Sequence, residues 1–175
     1  MQALVSAYRA PGARPDYPLF DSMIRYIENV PDRIHHRKED ATLFPAVIAS
    51  GIDGRDLVAK LERDHADGPG MLADLRRTFE ACQRGEPNAL NRLSTALDEF
   101  TEFYWSHMRL EEEELLPLAV KTLSEQQWDE VSRAFSDSRD PLFDAALTEE
   151  YRALYKRIAE LAPKSVRALL ESADS

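Results

Sequence analysis

Apolar residues recur at steps of three and four along most of the chain, which is the period of an amphipathic α-helix. The pattern is longest over residues 16–50, 53–84 and 88 to about 121. In the third stretch one stripe consists of Leu93, Leu97, Phe100, Tyr104, His107, Glu111, Leu115 and Leu118. The pattern therefore predicts three long helices, the first of them bent at Pro31, because a proline removes a helical hydrogen bond.

Polar residues interrupt the apolar stripes at a few positions. Beyond Pro31 the stripe of the first long helix continues as His35, Glu39, Leu43 and Ala46. In the second, His65 lies among apolar residues and is followed by the run Gly68, Pro69, Gly70. We expect this run to kink or locally open the helix.

Shorter elements flank the long helices. Residues 1–10 have the pattern of a helix end without N-terminal capping residues, which indicates the second half of a longer helix. Ser124 and Gln127 match a capping box for a short helix through Phe135. A last amphipathic helix is predicted over about residues 148–161, followed by a short helix and a fraying end over residues 163–175.

Composition supports one helical domain with a tail. The chain has 175 residues, of which 43% are apolar and 31% charged, and only six glycines. A net charge of −10 disfavours binding to nucleic acid or to an anionic membrane, since both depend on an excess of Lys and Arg. No signal peptide and no apolar run of about 20 residues is present, so we expect a cytoplasmic protein. Cys82 is the only cysteine; it lies on an apolar stripe and is interpreted as core packing.

A repeat with an offset of 72 residues relates two parts of the chain. His35 precedes Glu39 by four residues, and His107 precedes Glu111 by four residues, at the same offset. The offset also carries Pro45 onto Pro117 and Pro15 onto Pro87, in each case proline onto proline. The repeated unit is therefore a whole helical hairpin.

The repeated pair has the spacing of a chelating site. On a helix, residues four apart lie on one face, so each His and Glu can reach the same ion. A buried carboxylate is costly unless it is paired or bound to metal, and no Lys or Arg lies on the stripes of Glu39 and Glu111. With His65 added, the five inward residues favour a hard to borderline cation, predicted to be iron, with manganese or zinc as lesser alternatives.

Less specific interpretations compete with this one. A single His and Glu four residues apart is often an exposed helix pair, and Glu112 and Glu113 are interpreted as a solvated acidic face. His36 and Asp40 form a rival pair at the same spacing, but His36 does not obey the 72-residue offset. We therefore assign His36 to the surface or to a second layer around the site.

These motifs together resemble the hemerythrin family, specifically the bacterial His-His-Glu cation-binding domains. The resemblance covers roughly residues 1–121 and rests on three runs: residues 35–39 leading to Leu43-Phe44-Pro45, Asp64-His65, and residues 107–112 leading to Leu116-Pro117. It implies an all-α, up-down-up-down four-helix bundle, here with a shortened first helix, and leaves residues 122–175 as a C-terminal helical extension packed on the bundle.

The resemblance also implies a non-haem di-iron centre. Carried over to this chain, His35 and His107 would be terminal ligands, Glu39 and Glu111 bridging carboxylates, and His65 the ligand from the third helix. The implied partner is O₂ or a related small ligand such as nitric oxide or peroxide. Two departures are evident: Pro69 stands one turn after His65, where oxygen carriers have a further histidine, and the first-helix histidine is absent.

The repeat suggests where that missing histidine would lie. Moving His65 back by the 72-residue offset places its equivalent eight residues before Met1. We expect the native product to begin earlier than this chain. Without the segment, one metal would be open to water or to a ligand from a neighbouring chain in a homo-oligomer.

Three functions are consistent with the sequence. The first is a di-iron protein that binds, senses or handles O₂ or a related small ligand. The second is a di-iron enzyme of the same fold, acting on peroxide, nitric oxide or damaged iron centres. The third is a metal-free helical interaction module with an incomplete ligand set.

Overall fold

The computed structural model of the chain describes residues 16–29, 34–51 and 54–136, together with residues 149, 153, 154, 156 and 157. All regular structure in these ranges is helical. The predicted helix of residues 1–10, its shortening, the bend at Pro31 and the end of the chain from residue 163 lie outside the described residues.

Three helical arms carry the described fold. The first arm contains α1 (Tyr17–Asn29), α2 (His36–Lys38), a π-helical segment π1 (Glu39–Leu43) and α3 (Phe44–Ala49). The second arm is α4 (Arg55–Gln83). The third contains α5 (Ala89–Leu110), a second π-helical segment π2 (Glu111–Leu115) and α6 (Leu116–Thr122), after which α7 (Glu125–Phe135) follows. The three long helical stretches and the short helix predicted from the sequence are confirmed.

Local signals fix where these elements begin and end. The carboxylate of Asp16 accepts the backbone N–H of Leu19 at 3.0 Å, which caps α1. Gly51 and Gly85, just past the ends of α3 and α4, have φ angles of 79° and 68°, which glycine adopts without strain. Ser124 forms the predicted capping box at the start of α7. The local opening expected after His65 is wrong, because α4 is continuous through Pro69.

The π-helical segments shift the apolar stripe by one residue in both halves of the repeat. π1 begins at Glu39 and π2 at Glu111, which are related by the 72-residue offset. A π-helical turn holds an additional residue, so the residues after it rotate relative to an ideal α-helix. Val47 and Ala119 are consequently fully buried, whereas the predicted stripe residues Ala46 and Leu118 are only partly buried.

Two apolar cores lie at different heights along the arms. The first joins α1, the second half of α4 and the first half of α5, through Leu19, Phe20, Met23, Ile24, Leu72, Leu75, Phe79, Leu93, Leu97 and Phe100. Cys82 packs against it with a free thiol, as expected. The second core joins π1, α3, the start of α4, π2, α6 and α7, through Leu43, Phe44, Val47, Val58, Leu61, Leu115, Ala119, Leu123 and Val131. On each arm, the candidate ligands occupy the positions between these two cores.

The two segments that follow α6 contact the arms. The described residues between 149 and 157 are helical, Leu154 is buried in the first core, and Arg157 forms a 2.7 Å ion pair with Asp16. α7 contributes Val131 to the second core. No helix among the described residues combines the length and apolar character needed to cross a membrane.

Candidate metal centre

The five predicted ligands converge on one place in the fold. His35 and Glu39 come from the first arm, His65 from the middle of α4, and His107 and Glu111 from the third arm. Each repeated pair is in contact within its own helix: His35 Nε2 lies 3.2 Å from Glu39 Oε1, and His107 Nε2 lies 2.9 Å from Glu111 Oε1. These contacts follow from the four-residue spacing on a helix.

His65 connects the two pairs. Its Nε2 atom lies 3.6 Å from Glu39 Oε2 and 3.9 Å from Glu111 Oε1. Only 5% of the His65 side chain is exposed, and its ring stacks on that of Phe44 with centroids 5.3 Å apart. The carboxylates of the first and third arms therefore both approach Nε2 of His65 on the second arm.

Several buried polar atoms at this place lack a hydrogen-bond partner. Six such side-chain atoms occur among the described residues, and five of them belong to the predicted ligands: Glu39 Oε2, His65 Nε2, His107 Nδ1, His107 Nε2 and Glu111 Oε1. The 2.9 Å approach of His107 to Glu111 thus lacks the direction of a hydrogen bond. An unsatisfied buried polar atom costs about 1–3 kcal/mol. Bound cations would satisfy the two carboxylate oxygens, His65 Nε2 and one ring nitrogen of His107, so the residues fit a metal site.

The donor atoms fall into two groups, each able to hold one ion. The three-histidine group consists of His36, His65 and His107, and the mixed group consists of His35, Glu39 and Glu111. Within each group, donor atoms lie within 4.8 Å of one another. The groups adjoin through the contacts of His65 and His107 with the two carboxylates.

His36 lies in the interior, so of its two expected positions the surface is wrong, and a second layer around the site is the one that its burial agrees with. The residue is only 8% exposed; its ring stacks on His65 at a centroid distance of 4.1 Å and lies 5.2 Å from that of His107. Burial, reinforced by the neighbouring imidazoles, lowers the pKa of His36 to about 3. The imidazole is therefore neutral at pH 7, which is the form that binds metal. The repeat could not reveal His36, because Met108 occupies the equivalent position.

Three other candidate ligands, His35, His65 and Glu111, have their charged forms stabilised. A hydrogen bond with Glu39 raises the pKa of His35, whose side chain is 45% exposed. Burial opposes protonation of His65, but the nearby carboxylates of Glu111 and Asp40 outweigh it and raise its pKa. Burial likewise opposes ionisation of Glu111, but the nearby imidazoles of His107 and His65 lower its pKa. These contacts favour protonated imidazoles beside ionised carboxylates, and a cation would compete with those protons.

Two aspartates approach the Nδ1 atoms of His65 and His107. Asp40 Oδ1 lies 2.7 Å from His65 Nδ1 and leaves Nε2 directed at the carboxylates. Asp64, which is buried and paired with Lys60, places Oδ2 3.7 Å from His107 Nδ1. A carboxylate behind an imidazole fixes its orientation and increases its basicity. The apolar pattern and the repeat do not indicate these roles, although Asp64 and Asp40 stand next to His65 and Glu39 in the chain.

Comparison with known proteins agrees with this geometry. A family model described as the hemerythrin HHE cation binding domain matches residues 2–119. No curated protein and no solved structure matches the chain.

Proposed function

Because the chain belongs to the hemerythrin HHE cation-binding domain family, we propose that it holds a non-haem di-iron centre and binds, senses or handles O₂ or a related small ligand such as nitric oxide or peroxide. The observation that carries the proposal is the convergence of five unpartnered buried donor atoms from three arms of the fold. A packed apolar core would not leave such atoms unsatisfied.

Six residues would hold the two ions. His36, His65 and His107 would bind one, and His35, Glu39 and Glu111 the other. Glu39 and Glu111 would be able to contribute to both ions, because each carboxylate also approaches an imidazole of the three-histidine group. A set of nitrogen and oxygen donors suits iron, with manganese or zinc as lesser alternatives.

The protein would orient the metal ligands and exclude water from part of the site. When bound, non-haem iron supplies reversible redox and ligand exchange toward O₂ and related molecules. Asp40 and Asp64 would hold two of the imidazoles in the orientation that binding requires. Phe44 and Leu115, both fully buried in the second core, exclude water from one side of the site.

Metal analysis tests the proposal. We expect protein purified from iron-replete cells, without added metal, to contain up to two iron ions per chain and to show near-ultraviolet absorption that changes on reduction. Glu111→Ala should lower the iron content, whereas the matched change Glu113→Ala, on an exposed residue two positions away, should not. Stoichiometric zinc without iron would count against a redox role.

Two alternatives from the sequence are addressed by further measurements. A metal-free interaction module is disfavoured by the unsatisfied donor atoms, since they would destabilise a fold that never binds metal. A di-iron enzyme would use the same ligands as a carrier or sensor, so a measurement of turnover is needed to distinguish them. Consumption of peroxide or nitric oxide beyond one equivalent per centre would favour the enzyme, and binding that stops at one equivalent would favour the carrier or sensor.

A further inference from the structure

A cavity of about 550 Å³ lies beside the candidate metal centre. The mixed donor group, with His35, Glu39 and Glu111, lines one side of it. Apolar and aromatic side chains from α5, α6 and α7 line the rest, chiefly Tyr104, Met108, Leu116, Trp128, Val131 and Phe135. The mixed donor group thus shares this partly open space with side chains from other parts of the chain.

The wall formed by α7 is a feature of this chain beyond the family match, which ends at residue 119. Val131 anchors this helix in the second core. The Gln127 side-chain amide donates to the carbonyl of Ala46 at 3.4 Å, and Lys38 Nζ donates to that of Phe135 at 3.3 Å. The ring of Phe135 meets the ring of His35 edge to face, with centroids 5.6 Å apart. The wall is therefore attached to the segment that carries the ligands.

The size of the cavity exceeds what a diatomic ligand needs. A water molecule occupies about 30 Å³ in the liquid, whereas cavities of about 300–1,000 Å³ are typical of sites for small organic molecules. The volume of about 550 Å³ lies within that second range. A molecule of one or two aromatic rings would fit within the space.

The charges of the lining select against anions when no cation is bound. Glu39, Glu111 and Glu112 line the cavity, and no Lys or Arg does so in the part of the chain that the structure describes. In the metal-free protein, an anionic group would face like charges there without a basic partner. Tyr104, Trp128 and Phe135 offer ring edges and faces to an aromatic ligand.

We propose that this cavity binds an uncharged aromatic molecule next to the metal centre, with α7 as one wall. The inference rests on the proposed function for the presence of the metal, while the aromatic molecule is held by the chain's own apolar residues. The site would thereby bring an organic ligand to the ions, in addition to a small ligand such as O₂.

An uncharged fluorescent probe, N-phenylnaphthylamine, tests the proposal on the full-length protein. We expect saturable binding of one probe per chain. In chelator-treated protein, binding of the anionic relative anilinonaphthalene sulfonate should be at least about tenfold weaker. Leu116→Trp should weaken probe binding by about tenfold or more, because the larger side chain fills the cavity. Val120→Trp, one turn further along α6 on a residue that is 69% exposed, should leave it within about twofold.

Additional measurements separate this inference from the metal proposal. Ser132→Trp places the same bulk on the α7 side of the cavity and should also block the probe, so the test survives if Leu116→Trp does not fold. Iron content is measured on every sample. Iron-loaded protein that shows no saturable probe binding overturns the aromatic site and leaves the metal proposal intact. Probe binding that is blocked as expected in protein unable to bind iron supports the cavity and overturns the metal proposal.

Discussion

Replacing His36 by alanine should remove one of the two metal positions. The three-histidine group has no carboxylate, so each of its imidazoles would be a principal ligand of that ion. His36 stacks on His65 at 4.1 Å, and its lowered pKa of about 3 keeps its imidazole neutral at pH 7. Removal of a residue that merely supports a ligand costs 10- to 100-fold in metal affinity. Loss of a direct ligand should cost about 100-fold or more, or about 2.8 kcal/mol.

Metal content after competition with a chelator measures the effect. We expect His36→Ala to fall from about two ions per chain to about one, because the mixed group of His35, Glu39 and Glu111 remains complete. Arg37→Ala, on the exposed neighbouring residue, serves as the matched control and should keep both ions. His36→Gln preserves most of the side-chain volume and separates ligand loss from loss of packing.

The opposite result would assign His36 a different role. If His36→Ala holds two ions as firmly as the unaltered chain while remaining folded by circular dichroism, His36 is a buried packing residue and not a ligand. The His36 assignment would then be wrong, although the five ligands predicted from the sequence would be unaffected.

Three further predictions concern the carboxylates, a close-packed glycine and pH. Glu39→Ala should lower metal content more than Glu112→Ala or Glu113→Ala, since Glu39 is buried and the other two are exposed; equal losses by elemental analysis would contradict this. Gly54→Ala should lower the free energy of unfolding by about 1–3 kcal/mol in urea titrations, because a Cβ there would lie 2.9 Å from Leu118 Cδ2 and 3.1 Å from Val47 Cγ1. Gly70→Ala, with no atom within 4 Å of its Cβ, should be neutral or stabilise by up to about 1 kcal/mol. In chelator-treated protein, folding lowers the pKa of His36 from 6.5 to about 3. The stability contributed by the neutral imidazole is therefore fully present above pH 6.5. As the pH falls toward 3, the free energy of unfolding decreases by at most roughly 5 kcal/mol. His35 and His65 have raised pKa values, so their contribution to the free energy of unfolding is present at low pH and is lost as the pH rises. His36→Gln should therefore lose less stability on acidification than the unaltered chain, and equal slopes would refute the assignment.

The sequence was sufficient for features that depend on local periodicity. A helix places residues four apart on one face wherever it lies in a protein, so the spacing of His35 and Glu39 fixed their contact before any tertiary structure was known. The 72-residue offset fixed the second pair, His107 and Glu111, in the same way. Helix bounds followed from apolar periodicity and from caps such as Ser124, which are also local signals.

The tertiary structure decided which residues surround those pairs. The contact of Asp40 with His65 spans 25 residues of sequence, and the attachment of Phe135 to Lys38 spans 97. No helical period encodes such contacts, because they depend on how separate arms pack.

The burial of His36 had the same origin, because the rings that cover it, those of His65 and His107, belong to the other two arms. Beyond the ligands of the first arm, a one-residue rotation separates the predicted stripe ending at Ala46 from the observed stripe ending at Val47. The π-helical segments supply that rotation at Glu39 and Glu111. An ideal α-helical period carries no information about where a π-helical turn will form, because packing of the arms around the ligands stabilises it. The local sequence therefore determined the repeated pairs, whereas only the packing of the arms determined the three-histidine group and the wall formed by α7.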